Sequence, residues 1–121
     1  MKLIAIYTTC GDVGAFLKYP YLYNRQGEWV GWITRERQVY SVHGHYVGYL
    51  SNDPRILRKQ SSGYLKPIKP APSNPGNIKP PALVPLAPLL PELPIGTCDV
   101  LVDRPELLPA VDFGDLRMDM E

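Results

Sequence analysis

The chain has 121 residues, of which 45% are hydrophobic and 21% charged, with a formal net charge of +1 at pH 7. That length sets one domain, with a core small enough to need help from self-association or from its own tail. No run approaches a membrane-spanning helix, and two cysteines do not make a disulfide framework, so Cys10 and Cys98 are expected as free thiols in a cytoplasmic protein.

In chain order, Met1-Lys2-Leu3-Ile4-Ala5-Ile6-Tyr7 has the look of a signal peptide, but its apolar stretch is short and no small-residue cleavage site follows. It reads as a first β-strand. Val-Gly then occurs at Val13-Gly14, Val30-Gly31 and Val47-Gly48, seventeen residues apart each time. A second apolar column, Ala5-Ile6, Leu22-Tyr23, Val39-Tyr40 and Ile56-Leu57, keeps the same period. So do Ala15-Phe16, Trp32-Ile33 and Tyr49-Leu50. A fixed period means repeated units that bury their apolar faces on one another. Four units are expected, at 1–17, 18–34, 35–51 and 52–65, the last closing early at Gly63-Tyr64-Leu65.

Each unit has room for two short strands. Gln38-Val39-Tyr40-Ser41-Val42 and Trp29-Val30-Gly31-Trp32-Ile33 are rich in β-branched and aromatic residues. Asn24-Arg25-Gln26-Gly27, Val42-His43-Gly44-His45 and Asn52-Asp53-Pro54 supply turn residues between them. No helical stripe runs through the first 65 residues. A glycine repeated inside strands marks a bulge or a close backbone approach, here crowding around a common axis.

The pattern Tyr-x-x-x-Gly-x-x-Val-Gly-Trp/Tyr, from Tyr23 to Trp32 and again from Tyr40 to Tyr49, resembles the signature of the four-fold β-flower proteins. The resemblance covers about the first 65 residues. It implies an all-β fold of four short β-hairpin repeats, about 17 residues each, around a pseudo-four-fold axis. It brings no catalytic residues with it. The division that follows is a hairpin-repeat domain at 1–65, a Pro-rich extended arm at 66–96 and a short acidic segment at 97–121.

Ten of the fourteen prolines lie between Pro67 and Pro94, which favours polyproline II over helix or central strand. Pro85, Pro88, Pro91 and Pro94 recur every third residue, the polyproline II period. Leu86 and Leu89 then form a second edge, and Ala87, Leu90 and Leu93 a third. Leu86, Leu89, Leu90 and Leu93 are expected to be buried, against another chain or against the repeat domain's aromatics, Trp29, Trp32, Tyr46 and Tyr49. Beyond the arm, Thr97-Cys98-Asp99-Val100-Leu101-Val102 reads as a strand. Asp103, Pro105 and Glu106 open a short helical turn.

Charge divides along the chain. Residues 1–80 hold eleven Lys/Arg against four Asp/Glu, and residues 81–121 hold two against eight. Arg55, Arg58, Lys59, Lys66 and Lys69 form a basic group that could touch anions or nucleic acid, and the acidic end at 112–121 is expected near it. Catalytic patterns are thin. His43 and His45 flank Gly44, but zinc needs three or four converging ligands, so no metal and no cofactor are expected. The reading that fits is a non-enzymatic structural or protein-interaction module. Its β-repeat platform carries a Pro/Leu-rich docking arm, with a protein partner or a second copy bound through that arm. Nucleic-acid binding through the basic group is the alternative, and a small enzyme with a site between subunits is a second one.

Overall fold

The computed structural model describes residues 3–59, 69–70 and 72–110. Eight strands are present: β1 (Ile4–Tyr7), β2 (Val13–Lys18), β3 (Tyr21–Asn24), β4 (Trp29–Ile33), β5 (Gln38–Ser41), β6 (Tyr46–Leu50), β7 (Ile56–Lys59) and β8 (Thr97–Asp99). They form one antiparallel sheet in sequence order, curled into a half-barrel.

Repeated turn chemistry makes the hairpins. At 24–28 the Asn24 N–H donates to the Glu28 carbonyl (2.9 Å) and the Gly27 N–H donates back to the Asn24 carbonyl (3.0 Å). The same pair of bonds closes 8–12 and 41–45. The fourth residue of each turn is a glycine, Gly11, Gly27 or Gly44, at φ of +93°, +88° and +86°. Only glycine takes that left-handed conformation without a Cβ penalty.

A bulge follows each turn and explains the Val-Gly motif. Tyr23 pairs with Trp29 and Leu22 with Gly31, leaving Val30 as the extra residue. Tyr40 pairs with Tyr46 and Val39 with Gly48, leaving Val47. A bulge sets two residues against one, so Val30 and Val47 enter the core directly before a glycine. That glycine sits against the neighbouring strand. A Cβ on Gly31 would lie 2.4 Å from the Tyr40 carbonyl oxygen, and one on Gly48 would lie 2.1 Å from that of Leu57.

The first hairpin corrects the seventeen-residue alignment. Tyr7 pairs with Val13 and Ile6 with Ala15, which makes Gly14 the extra residue. Gly14 is therefore equivalent to Val30, not to Gly31, and Ala15 holds the crowded place. The spacing slips because Leu22 lies seven positions after Ala15, whereas Val39 lies eight after Gly31 and Ile56 eight after Gly48. Tyr19-Pro20 alone joins the paired ends of β2 and β3, against five residues at 34–38 and at 51–55. With that shift the true central column is Ile6, Leu22, Val39 and Ile56, and all four are at 0% exposure.

The fourth hairpin departs further. Gly63-Tyr64-Leu65 lies outside the described residues, and β7 pairs instead with β8, Leu57 opposite Asp99 and Lys59 opposite Thr97. The sheet therefore crosses the expected boundary at residue 65. The expected strand 97–102 stops at Asp99. The Asp99 carboxylate accepts the Leu101 N–H and caps a single helical turn, α1 (Val100–Asp103). By register Val100 takes the place of Val30 and Val47, and it is fully buried. A 3₁₀ turn follows at Pro105–Leu107 with Pro105 at its start, and Arg104 rather than Asp103 stands in the N-cap position, with no side-chain capping bond. The concave side holds the larger core, closed by Val100 and Leu108. The convex side holds Phe16, Tyr23, Trp29 and Val42, with Ile78 from the arm packed on it.

Candidate interaction surface

β7 ends at Lys59 and β8 begins at Thr97. The described part of the chain between them is a strap across the other hairpins. The Lys69 N–H donates to the Gly44 carbonyl (3.0 Å), and the Ile78 N–H donates to the Gly27 carbonyl (2.8 Å). Further on, the Tyr7 hydroxyl donates to the Pro85 carbonyl (3.0 Å). Arg55 Nη2 then donates to the Pro91 carbonyl (3.1 Å). The strap thus meets the third, second, first and fourth hairpins in turn. The first two anchors need an N–H, and they fall on non-proline residues, Lys69 and Ile78. Gly27 is required here a second time, because a Cβ would lie 2.0 Å from the Ile78 carbonyl oxygen.

Exposure along the strap has a period of three. Leu83, Leu86 and Leu89 are 90%, 94% and 99% exposed, while Ala87, Leu90 and Leu93 are half-buried on another edge. Pro85, Pro88, Pro91 and Pro94 line the third edge and are exposed. Of the four leucines expected to be covered, Leu90 and Leu93 are partly covered by their own chain and Leu86 and Leu89 are not. Leu83 extends the outward row by one triplet. The same triplet spacing in the sequence signals it.

The aromatic residues separate into two groups. Trp29 is buried, its Nε1–H donated to the Gly31 carbonyl (2.7 Å), so it is a core residue and not a contact surface. Trp32 stacks on Tyr40 at 4.9 Å and 19°. Tyr46 meets the same ring edge-on at 5.8 Å. Burial, together with Tyr40 and Tyr49, pushes the Tyr46 hydroxyl above its ordinary pKa against the opposing charge of Arg58. Trp32, Tyr46 and Tyr49 remain half-buried. Tyr49 also faces the strap, sharing a cleft with Arg55, Pro91, Glu92 and Pro94.

The described members of the basic group sit in different surroundings. Arg55 is only 2% exposed. Its Nη2 pairs with Asp53 at 2.6 Å, and its Nη1 donates to Thr9 Oγ1 at 3.1 Å. Arg58 Nη1 donates to the Val47 carbonyl at 2.8 Å. Lys59 is exposed at the end of β7. Lys69 is exposed with its Nζ 5.5 Å from the centre of the Tyr40 ring. Lys66 and the acidic end at 112–121 lie outside the described residues. Arg55 and Arg58 thus bind protein, because a guanidinium near unpaired carbonyls satisfies several at once.

Arg55 anchors a clasp that no sequence pattern announces. The Tyr7 N–H donates to the Pro54 carbonyl (3.0 Å), so the end of β1 meets the turn before β7. The Thr9 N–H and hydroxyl both donate to Asp99 Oδ2 at 2.7 Å. One oxygen of the buried Asp99 carboxylate therefore holds the first turn, and the other caps α1. Asp53 accepts from Arg55 and from the Ser51 hydroxyl. Burial alone would raise its carboxyl pKa, but these hydrogen bonds and the guanidinium charge hold it below the ordinary value.

The hairpin equivalences above match a known architecture. A family model described as 4-fold beta flower protein covers residues 4–98. The chain belongs to the four-fold β-flower family. No curated protein and no solved structure matches it. The match ends inside β8, so this β-flower protein is matched through the strap and the returning strand, well past residue 65. Among its described residues no three His, Cys, Asp or Glu gather as a metal site, and no helix is long and apolar enough to cross a membrane.

Proposed function

We propose that this β-flower protein is a non-enzymatic interaction module of the cytoplasm, whose curled sheet displays the strap as a ready-made ridge for a protein partner. The supporting observation is the three-residue period of exposure, with Leu83, Leu86 and Leu89 outward beside a row of exposed prolines. A polyproline II segment binds aromatic-lined grooves at low entropic cost, because its conformation is already set. Anchoring at Tyr7 and Arg55 adds to that by fixing the segment at both ends. The fitting partner is a domain with an aromatic groove wide enough for paired leucine and proline ridges. A second copy of this chain would serve if Trp32, Tyr46 and Tyr49 of that copy supplied the aromatics.

Nucleic-acid binding is weakened as a reading by the burial of Arg55 and the backbone-bound Arg58. The test compares the wild type with a Leu83→Ser, Leu86→Ser, Leu89→Ser variant in co-purification, then titrates the purified partner against both. Light scattering reports the assembly state in parallel. Loss of binding or of assembly in the variant, with little dependence on salt, is the expected result. A variant that keeps its partner and its assembly state rules the ridge out. A steep loss of binding with added salt points instead to phosphate contacts.

A further inference from the structure

A cleft of about 540 Å³ lies between β1 and the strap. Ala5, Tyr7 and Phe16 line it from the sheet and Val84 and Pro85 from the strap, with the 90% exposed Leu83 at its rim. We propose that this cleft binds an uncharged, chain-like apolar molecule such as a long-chain alcohol or the acyl chain of a neutral lipid. The cleft shares Leu83 with the outward row but not Leu86 or Leu89, so a Leu86→Ser, Leu89→Ser variant, which should bind the probe as the wild type does, tells the two readings apart.

Three observations carry the proposal. The volume falls within the range that holds small ligands. Among the described residues lining the cleft, none is charged, so an ionic head group would be desolvated with nothing to pair it. The roof is also stiff: Pro81 and Pro85 flank Leu83 and Val84, and the Pro85 carbonyl is tied to the Tyr7 hydroxyl at 3.0 Å. A proline-fixed wall does not sag into the space beneath it, so the cleft stays open for an occupant. Tyr7 supplies the one side-chain polar atom. Its proton is committed to Pro85, which leaves the phenolic oxygen free to accept from a ligand hydroxyl.

The full-length chain is titrated with the neutral fluorophore N-phenyl-1-naphthylamine, then with 1-dodecanol, 1-decanol and dodecanoate at pH 8 as competitors. One probe per chain is expected, displaced by 1-dodecanol. 1-Decanol, two methylenes shorter, should bind roughly fifteen-fold more weakly, since each buried methylene is worth about a four-fold factor. Dodecanoate should be weaker than 1-dodecanol by about ten-fold or more, because its charge has no partner. Ile4→Trp fills the cleft and Leu83→Asp puts a carboxylate at its mouth, so both should weaken the probe about ten-fold. Leu83 is 90% exposed, so that variant folds even if the tryptophan does not fit. Ile95→Ser, fully exposed elsewhere on the strap, should bind as the wild type does. Non-saturating fluorescence, equal binding by Leu83→Asp, or dodecanoate matching 1-dodecanol overturns the proposal.

Discussion

Three hairpins of this chain and the fourth are built from one plan and end differently. In β1–β2, β3–β4 and β5–β6 a five-residue turn with a left-handed glycine closes the hairpin beside a bulge, whose extra residue is Val30 or Val47 in the core and the half-buried Gly14 in the first hairpin. In the fourth, a long connection between Lys59 and Thr97 stands in place of the turn, and the helical turn at Val100 in place of the bulge. The core hardly registers the exchange, because Val100 fills the place of Val30 and Val47. What changes is the surface. The regular hairpins carry short polar turns, while the irregular one carries a strap with exposed leucines and an apolar cleft. Repetition supplies the scaffold here, and the one broken repeat supplies the features to which a binding role can be attached.

The severest way to break the comparison is to remove the returning strand. Truncation after Leu65 deletes β8 with Val100 and Leu108, each worth about 1.5–3 kcal/mol as a buried aliphatic side chain. It also removes Asp99 from the clasp. That sum is a large share of the roughly 5–15 kcal/mol available to a small domain. Circular dichroism should show no cooperative melting. A truncated chain that melts cooperatively would show that three hairpins and a lone β7 suffice.

The next test sharpens the equivalence of the bulges. Gly48→Val puts a Cβ 2.1 Å from the Leu57 carbonyl oxygen. Backbone cannot swing aside, so the cost is expected at about 3 kcal/mol, the upper end for overpacking. Ala15→Gly, at the same place in the first hairpin, should cost only about 1 kcal/mol from added chain freedom. Urea midpoints of the two variants measure the contrast directly.

A smaller effect belongs to the clasp. Asp53→Asn leaves the buried Arg55 without its carboxylate but with Thr9 and Pro91, an expected loss of about 2 kcal/mol at pH 7, below the usual range for breaking a buried pair. The folded-state pKa of Asp53 is lowered. Its contribution is therefore full above the ordinary aspartate value of about 3.9 and fades as pH falls through the folded value. The gap between variant and wild type should narrow in urea titrations below that point. A gap that persists there unchanged would remove Asp53's ionisation from the account.

The smallest effect separates scaffold from surface. Leu86→Ser and Leu89→Ser should shift stability by no more than about 0.5 kcal/mol, as exposed positions do. A larger loss in thermal melting would mean that these leucines pack against the protein after all.

How much of this was legible in the chain varies by feature. Turn glycines and alternating aromatic and β-branched runs act locally, so the period, the strands and the four-fold architecture could be read from residues a few places apart. Proline spacing likewise set the edges of the strap, because polyproline II needs no partner to define its period. The sequence could not say which edge turns outward, since that depends on where Tyr7 and Arg55 hold the Pro85 and Pro91 carbonyls. Nor could it say that Thr97–Asp99 completes the fourth hairpin, because a strand's partner is chosen by packing over a long loop whose closure cost grows only slowly with length. Arg55 shows the limit most clearly. As a letter it is one more charge in a basic stretch, and only the approach of Thr9, Asp53 and Pro91 from three separate parts of the chain makes it a buried clasp.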